Sequence, residues 1–360
     1  MGARAARPRD REAMALEAEL AEAAAHAAQG LKVHLNEDLR AEREEARRTL
    51  PQDLQAVTDV FYRHRNNGRF RLMEMLASHG VDLASRKLGK SSREALGFHR
   101  LLAEAERYTG NSGASLKRLS KIEKAHYAAY GPKSIETPYF QMLKSRCKVD
   151  AGDFETAFRE LRTSLELAND VLGENDKDTL TVRYHVARAM LASGDAEKAM
   201  EELEPLLNDK TRIKGKDHKD TLATRYLIAS CLNALRRPNE AEVALQSLLE
   251  DYVRLYGTDH PSTVDTEALL AEAELGCGKQ GSALARSERL LPLTTELLGQ
   301  RHPGVLQLKT LIAHLLALRG DERKARDMLA GTVEAFKEIG FGTGHPYVLR
   351  AKEVEGLLET

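Results

Sequence analysis

The chain has 360 residues with 5% aromatic side chains and no Trp, and its 54 Lys and Arg residues nearly balance its 55 Asp and Glu residues. This length is too great for one compact core, and a composition poor in aromatics but rich in Ala, Leu, Glu and Arg argues against sandwiches and barrels and favours stacked helices. The balanced charge gives no whole-chain attraction to nucleic acid or membrane, and the chain shows neither a signal peptide nor an apolar stretch of membrane length, so we expect a cytoplasmic protein that binds neither.

Residues 1–46 are predicted to form a helical N-terminal extension. The segment is rich in Ala, Glu and Arg, and leucines recur at helical spacing on both sides of Gly30. Two interpretations stay open: a capping helix through which the chain forms a homodimer, and a solvated helix without a partner.

Residues 47–88 are predicted to form a degenerate capping pair of helices. Gly68 lies 42 residues before Gly110, but the segment keeps few other features of the repeats that follow. The stretch from Ala84 to Ser91 matches a loose phosphate-loop pattern, which in a working site follows a buried strand. No strand is predicted before it, so we interpret the match as a coincidence.

A step of 42 residues dominates the rest of the chain and appears in three separate columns. The glycine column is Gly89, Gly131, Gly173, Gly215, Gly257 and Gly299, the threonine column is Thr137, Thr179, Thr221 and Thr263, and the alanine column is Ala157, Ala199, Ala241, Ala283 and Ala325. Three columns with one stride identify an internal repeat. We therefore predict six repeats over 89–340.

Each repeat is predicted to be one helical hairpin. In a representative unit, apolar residues recur at helical spacing over 178–192 (helix A) and again over 196–208 (helix B), and Gly194 separates the two runs. The threonine column lies where a hydroxyl, or Pro261, can start helix A. Small residues twelve positions apart, such as Ala187 and Ala199, indicate that the two helices cross closely.

This spacing of small residues resembles that of the tetratricopeptide repeat. The loops between repeats indicate which kind of tetratricopeptide repeat the chain resembles most. The loops read Tyr256-Gly257-Thr258-Asp259-His260-Pro261, Leu298-Gly299-Gln300-Arg301-His302-Pro303 and Lys214-Gly215-Lys216-Asp217-His218-Lys219. With the 42-residue step they resemble the repeats of kinesin light chains. The runs Asp178-Thr179-Leu180 and Asp220-Thr221-Leu222 resemble tetratricopeptide tracts of actinobacterial regulatory proteins. The resemblance implies an all-α fold, a right-handed α-solenoid of stacked helical hairpins, without catalysis or cofactors.

Residues 341–360 are predicted to form a C-terminal capping helix. Gly344-His345-Pro346 repeats the loop motif one residue late and opens this helix. We expect it to cover the apolar face that the array would otherwise expose.

The resemblance also implies candidate groove residues, because tetratricopeptide arrays build their inner wall from two positions of helix A. With the neighbouring Tyr139, the candidates are Tyr139, Met142, Arg146, Tyr184, Arg188, Tyr226, Ser230, Glu272, Thr310 and His314. The central members are basic and aromatic, which suits an acidic peptide segment, since Arg forks bind carboxylates and Tyr offers contact area. The competing interpretation is that they are ordinary solvated side chains.

No metal or catalytic centre is predicted. Histidines recur once per repeat at the same loop position, as His218, His260, His302 and His345. They are too far apart to share a zinc ion, whose ligands lie ~2 Å away, so we assign them to helix entry. Cysteines stand far apart without a CxxC pair, at Cys147, Cys231 and Cys277, which indicates free structural thiols.

Three binding functions stay open on the sequence. The first is a non-catalytic scaffold that holds an extended peptide or partner protein in its concave groove. The second is a regulator in which a small peptide enters the same groove and changes the curvature of the stack. The third is an accessory subunit that presents a substrate to a separate enzyme.

Overall fold

The computed structural model describes residues 50–132 and 134–359, which form helices joined by short loops, with no strand among them. The helices are α1 (Leu54–Asn66), α2 (Phe70–Leu88), α3 (Arg93–Tyr108), α4 (Ser112–Tyr130), α5 (Glu136–Asp150), α6 (Phe154–Leu172), α7 (Lys177–Ala192), α8 (Ala196–Lys214), α9 (Lys219–Ala234), α10 (Pro238–Tyr256), α11 (Pro261–Gly276), α12 (Gln280–Leu298), α13 (Pro303–Leu318), α14 (Glu322–Leu329), α15 (Thr332–Glu338) and α16 (Pro346–Glu359).

The helices stack in chain order, which is the arrangement of a solenoid. From α1 to α14 each helix packs on the next one, and α15 packs on α13 and α16. The odd-numbered helices α3 to α13 also contact one another in succession, so they form one continuous layer. The predicted all-α solenoid of helical hairpins is confirmed. The division into cap, six repeats and terminal helix remains our proposal, and the extension predicted at 1–46 lies outside the described residues.

The loop between hairpins explains two of the sequence columns. Gly215 ends α8 with a φ of 90°, and its carbonyl oxygen accepts a hydrogen bond from Thr221 Oγ1 at 2.8 Å. A φ in this range is open to glycine at little cost, which accounts for the glycine column. The prediction that the threonine hydroxyl starts helix A was wrong, because the N-cap of α9 is His218.

The recurring histidines cap the A helices. The Nδ1 atoms of His218, His260 and His302 accept hydrogen bonds from backbone N–H groups two residues on, at 3.1, 3.2 and 3.1 Å. His345 makes the same bond to the N–H of Tyr347 at 3.2 Å. Each bond satisfies a donor that the first helical turn leaves unpaired. The assignment of these residues to helix entry is confirmed.

The core lies between the two helices of each hairpin and is built around small residues. Ala187 and Ala199 have no exposed surface, and neither do Ala103 and Ser115, whose hydroxyl donates to the Ala103 carbonyl at 2.7 Å. The predicted close crossing of the helices is confirmed. A leucine at one of these positions would overpack the crossing and cost about 1–3 kcal/mol.

The solenoid closes on itself along a seam, which we define as the contact of turns 66–69, 108–113 and 150–153 with loops 215–219, 257–261, 299–304 and 339–345. At the first contact, Gly68 lies so close to Pro261 that a Cβ on the glycine would be 2.4 Å from the proline Cδ. At the second, a Cβ on Gly110 would be 2.6 Å from Pro303 Cδ. Prolines in the later loops therefore pack directly on glycines in the earlier turns.

Backbone and side-chain hydrogen bonds complete the seam. The N–H of Gly113 donates to the Ile339 carbonyl at 3.1 Å, and the N–H of Gly342 donates to the Asp150 carbonyl at 3.3 Å. At the outer end, Lys219 Nζ donates to Asn66 Oδ1 at 2.6 Å. Because the seam joins the first hairpins to the last, the inner surface surrounds a cavity, where the sequence had predicted an open groove.

Candidate ligand-binding cavity

A cavity of about 460 Å³ lies inside the closed turn of the solenoid. Its wall comes from helices α3, α5, α7, α9, α11 and α13, with contributions from the long helices behind them and from the seam loops. Small-molecule sites in proteins usually measure ~300–1,000 Å³. The cavity therefore has room for a ligand of drug or short-peptide size.

Tyrosines form much of the cavity wall. They are Tyr108, Tyr139, Tyr184, Tyr226, Tyr252 and Tyr347. Burial raises the pKa of Tyr226 and of Tyr347, so both phenols stay protonated and available as hydrogen-bond donors at neutral pH. A wall of this kind offers a ligand large flat surfaces with polar tips.

Charged side chains also line the cavity, and most of them are paired. Positive groups are Arg65, Arg107, Arg146, Arg188 and Lys210, and negative groups are Asp150, Asp220, Asp265 and Glu272. The ion pairs are Arg65–Glu104 at 2.9 Å, Arg107–Asp150 at 3.2 Å, Arg188–Asp150 at 3.7 Å, Lys214–Asp220 at 2.5 Å and Arg350–Glu272 at 3.6 Å. Three members of the set, Arg146, Lys210 and Asp265, are absent from these pairs.

Asp150 connects the cavity wall to the seam. Its carboxylate accepts a hydrogen bond from Ser112 Oγ at 2.5 Å and pairs with Arg107 and Arg188, while its backbone carbonyl receives the seam bond from Gly342. Burial works to raise the pKa of Asp150, but the two guanidinium groups and the hydroxyl outweigh it and hold the pKa below its ordinary value. The carboxylate is therefore fully engaged by the protein.

Lys210 is a buried lysine with protein partners. Its side chain is 2% exposed, and Nζ donates to Thr224 Oγ1 at 3.0 Å and lies over the ring of Tyr184, 4.6 Å from the centroid. Burial lowers the pKa of Lys210 to about 7, against the opposing effect of Asp220. At neutral pH this ammonium is about half deprotonated, which makes it a weak anion site.

Arg146 is the cavity cation without a partner. It is 8% exposed, its Nε atom is buried without a hydrogen bond, and the described residues offer it no ion pair. Burial and the neighbouring Arg107 lower the pKa of Arg146 to about 10. The guanidinium is still charged at neutral pH, so it keeps its full capacity to bind an anion.

Asp265 is the corresponding anion. It lies on α11, and within the described part of the chain its carboxylate has neither a hydrogen bond nor an ion pair. Burial raises the pKa of Asp265 to about 7. Asp265 is half-buried, and partial loss of water without a partner favours the neutral form of its carboxyl group; a cationic ligand would restore the charge.

The structure brings most of the predicted groove residues to the cavity. Those in its wall are Tyr139, Met142, Arg146, Tyr184, Arg188, Tyr226 and Glu272. Ser230, Thr310 and His314 are not among the lining residues. The hydroxyls of Ser230 and Thr310 instead donate to carbonyls one turn earlier in their own helices, at 3.0 and 2.9 Å. A role in binding remains a prediction for the whole set.

Several lining residues were missed by the sequence analysis. Arg107 lies near the end of its helix, Lys210 and Tyr252 lie on B helices, and Tyr347 lies on the last helix. They reach the cavity because the closed turn brings helix ends and the last helix inward. A pattern of neighbouring repeats carries no signal for such contacts, but a search for charged residues in otherwise apolar helix positions would have flagged Lys210.

In the part of the chain that the structure describes, no three His, Cys, Asp or Glu side chains are placed to share a metal ion. None of the described helices combines the length and the apolarity that a membrane crossing requires. Cys147 and Cys231 are buried, and burial raises their pKa to about 11 and about 12, so neither is a reactive thiolate.

Comparison with known proteins gives matches to solved structures alone. No protein-family model matches the chain, and no curated protein matches it. A Rap protein complexed with Competence and Sporulation Factor has a TM-score of 0.60 at 14% identity, over 86% of this chain and 87% of that one. The putative kinesin light chain repeats of Podosopora anserina have a TM-score of 0.42 at 22% identity, over 57% and 97%. BtubC from P. vanneervenii has a TM-score of 0.42 at 18% identity, over 81% and 92%. The likeness to the Rap protein concerns the fold alone, and it agrees with the tetratricopeptide-like repeat array that the helices form.

Proposed function

We propose that this tetratricopeptide-like solenoid is a non-catalytic binding protein that holds a short peptide, or the end of a partner chain, in its central cavity. The observation that carries the proposal is the cavity itself, a tyrosine-lined space of about 460 Å³ enclosed by the closed turn of the repeats. Concave, largely preformed spaces with a few polar groups are where proteins bind ligands. The wall holds the aromatic and charged groups that peptide recognition uses.

The closed turn favours a peptide-sensing regulator over a scaffold for a long extended segment. The seam limits the length of chain that fits inside the closed turn. A ligand that fits the closed form stabilises it, which couples occupancy to the shape of the array. The matched Rap protein was solved in complex with a factor, so a chain of this fold accommodates a bound factor.

Capture of peptides by the full-length chain tests this function. The probe is a randomised tripeptide library, and native mass spectrometry measures which peptides stay bound. Ala268 lines the cavity, so Ala268→Trp should fill it and abolish capture. Val243→Trp is the matched control, because Val243 is 69% exposed on α10 and the same ring there leaves the cavity open.

Two outcomes contradict the proposed function. One is that the wild-type chain retains no tripeptide from the library. The other is that Ala268→Trp retains peptides as well as Val243→Trp does, which would place binding outside the cavity.

A further inference from the structure

The charges of the cavity leave one cation and one anion for a ligand. Every other lining charge has a partner supplied by the chain, or, for Lys210, hydrogen bonds and a ring, whereas within the described residues Arg146 and Asp265 have none. They lie on different A helices, α5 and α11, and line the same cavity. Two uncompensated charges of opposite sign at one site are costly to the folded protein unless a ligand neutralises both.

We propose that the cavity recognises the two free ends of a short peptide, with the C-terminal carboxylate bound by Arg146 and the N-terminal ammonium bound by Asp265. This inference rests on the proposed function and specifies the chemistry of its ligand. The ligand class is a zwitterionic short peptide, which is recognised by the charges at its two ends.

The surroundings of Arg146 make a carboxylate its best ligand. Arg107 and Arg188 lie close enough to influence its charge, and both already share the single carboxylate of Asp150. Three guanidinium groups around one carboxylate leave this part of the wall with a net positive charge. A second carboxylate, brought by the ligand, would form charge-assisted hydrogen bonds with the buried Nε of Arg146.

The surroundings of Asp265 suit an ammonium. The titratable groups near it are Tyr226 on α9, Tyr252 on α10, Tyr347 on α16 and His302, since a Cβ on Gly304 would lie 3.2 Å from His302 Nδ1 and 3.8 Å from Asp265 Oδ1. Burial lowers the pKa of His302 to about 4, so none of these groups is a cation at neutral pH. Tyrosine faces next to a carboxylate are favourable for an ammonium group, through the ring quadrupole as well as the ion pair.

The protonation of Asp265 gives a second readout for its role. Since burial raises its pKa to about 7, an ammonium ligand must expel a proton from Asp265 on binding at lower pH. We therefore expect the affinity to fall as pH drops from about 7 to 5. Asp265→Asn should remove this pH dependence. If Asp265 only packs in the cavity wall, the substitution should leave the pH dependence of the affinity unchanged.

Three forms of the same tripeptide library test the inference on the full-length chain: free at both ends, N-acetylated, and C-amidated. Wild type should retain peptides from the free library and lose at least about tenfold in affinity for either capped form. Asp265→Asn should tolerate acetylation and still reject amidation. Arg146→Gln should show the reverse, and this exchange of preferences cannot arise from general loss of folding.

The outcomes separate this inference from the proposed function. If no form of the library is retained, the proposed function fails and the inference fails with it. If the acetylated or the amidated form binds wild type as tightly as the free form, the chain binds peptides but does not recognise their terminal charges. That result would overturn the inference.

Discussion

At the residue scale, the two neighbouring arginines Arg107 and Arg146 have opposite consequences for stability. Both are on the cavity wall, but Arg107 pairs with Asp150 whereas Arg146 has no partner among the described residues. Burying a charge costs several kcal/mol, and a pair recovers much of this cost whereas a lone charge does not. We therefore expect Arg146 to lower the stability of the empty protein.

Replacement of each arginine by methionine tests this difference. Arg146→Met should stabilise the empty chain by about 1–3 kcal/mol, because it removes an uncompensated charge at similar volume. Arg107→Met should destabilise it by about 3–5 kcal/mol, because it leaves Asp150 with a weaker pair. Urea unfolding of both variants checks the signs. A loss of stability in Arg146→Met equal to that in Arg107→Met would show that Arg146 is structural.

The sequence identified one of the two unpaired charges. Arg146 follows the small residue of helix A, a position that the family resemblance marks as inward-facing, and it is in the wall as expected. Asp265 lies near the start of its helix, at a position that no repeat rule marks. Its environment depends on Tyr347 and on the seam, so it became visible only in the folded chain.

At the scale of elements, the seam depends on glycines that both adopt a positive φ and pack closely against a seam loop. Gly110 has a φ of 86° and also lies against Pro303, whereas Gly194, at the same turn of a later hairpin, has a φ of 93° and open space around it. Alanine at either position would destabilise the fold by about 1–2 kcal/mol, because a side chain disfavours the left-handed backbone conformation. Only at Gly110 would the alanine Cβ also clash with a residue of the seam, Pro303.

Gly110→Ala should therefore open the closed turn, and Gly194→Ala should not. We expect small-angle scattering to show a larger radius of gyration for Gly110→Ala, while both variants lose similar local stability. Equal radii for the two variants and the wild type would contradict the packing of Gly110 against Pro303.

Acid should also loosen the seam. Burial lowers the pKa of His302 and of His345 to about 4, and both residues lie in seam loops. Their folded-state pKa is below the unfolded value of about 6.5, so their contribution to stability is complete above pH 6.5 and is lost as pH falls toward 4.

Scattering and unfolding measurements between pH 7 and 4 check this expectation. The double variant His302→Asn/His345→Asn, which keeps a side chain suited to helix capping, should be less sensitive to acid than wild type. If wild type and variant respond to acid identically, protonation of these histidines does not govern the seam.

At the scale of the whole molecule, the repeat period determined the architecture but not its closure. Each hairpin buries its apolar face on its neighbours, and the glycine, threonine and alanine columns report those local contacts. Closure depends on a small rotation between units that accumulates over several repeats, and no single column carries it. The Gly68–Pro261 contact joins a segment predicted to be a degenerate cap to the fifth predicted repeat, which sequence comparison within the chain could not anticipate.

The distance across the seam tests the central claim, that the solenoid closes around a cavity. Asn66 and Lys219 are far apart in the chain, yet Lys219 Nζ lies 2.6 Å from Asn66 Oδ1. Spin labels at Asn66→Cys and Lys219→Cys, with Cys147, Cys231 and Cys277 replaced by Ala, allow the distance to be measured by pulsed electron paramagnetic resonance. A closed turn predicts a narrow distribution at the short limit of the method; a broad distribution centred at long distances would mean that the solenoid is open and the cavity does not exist.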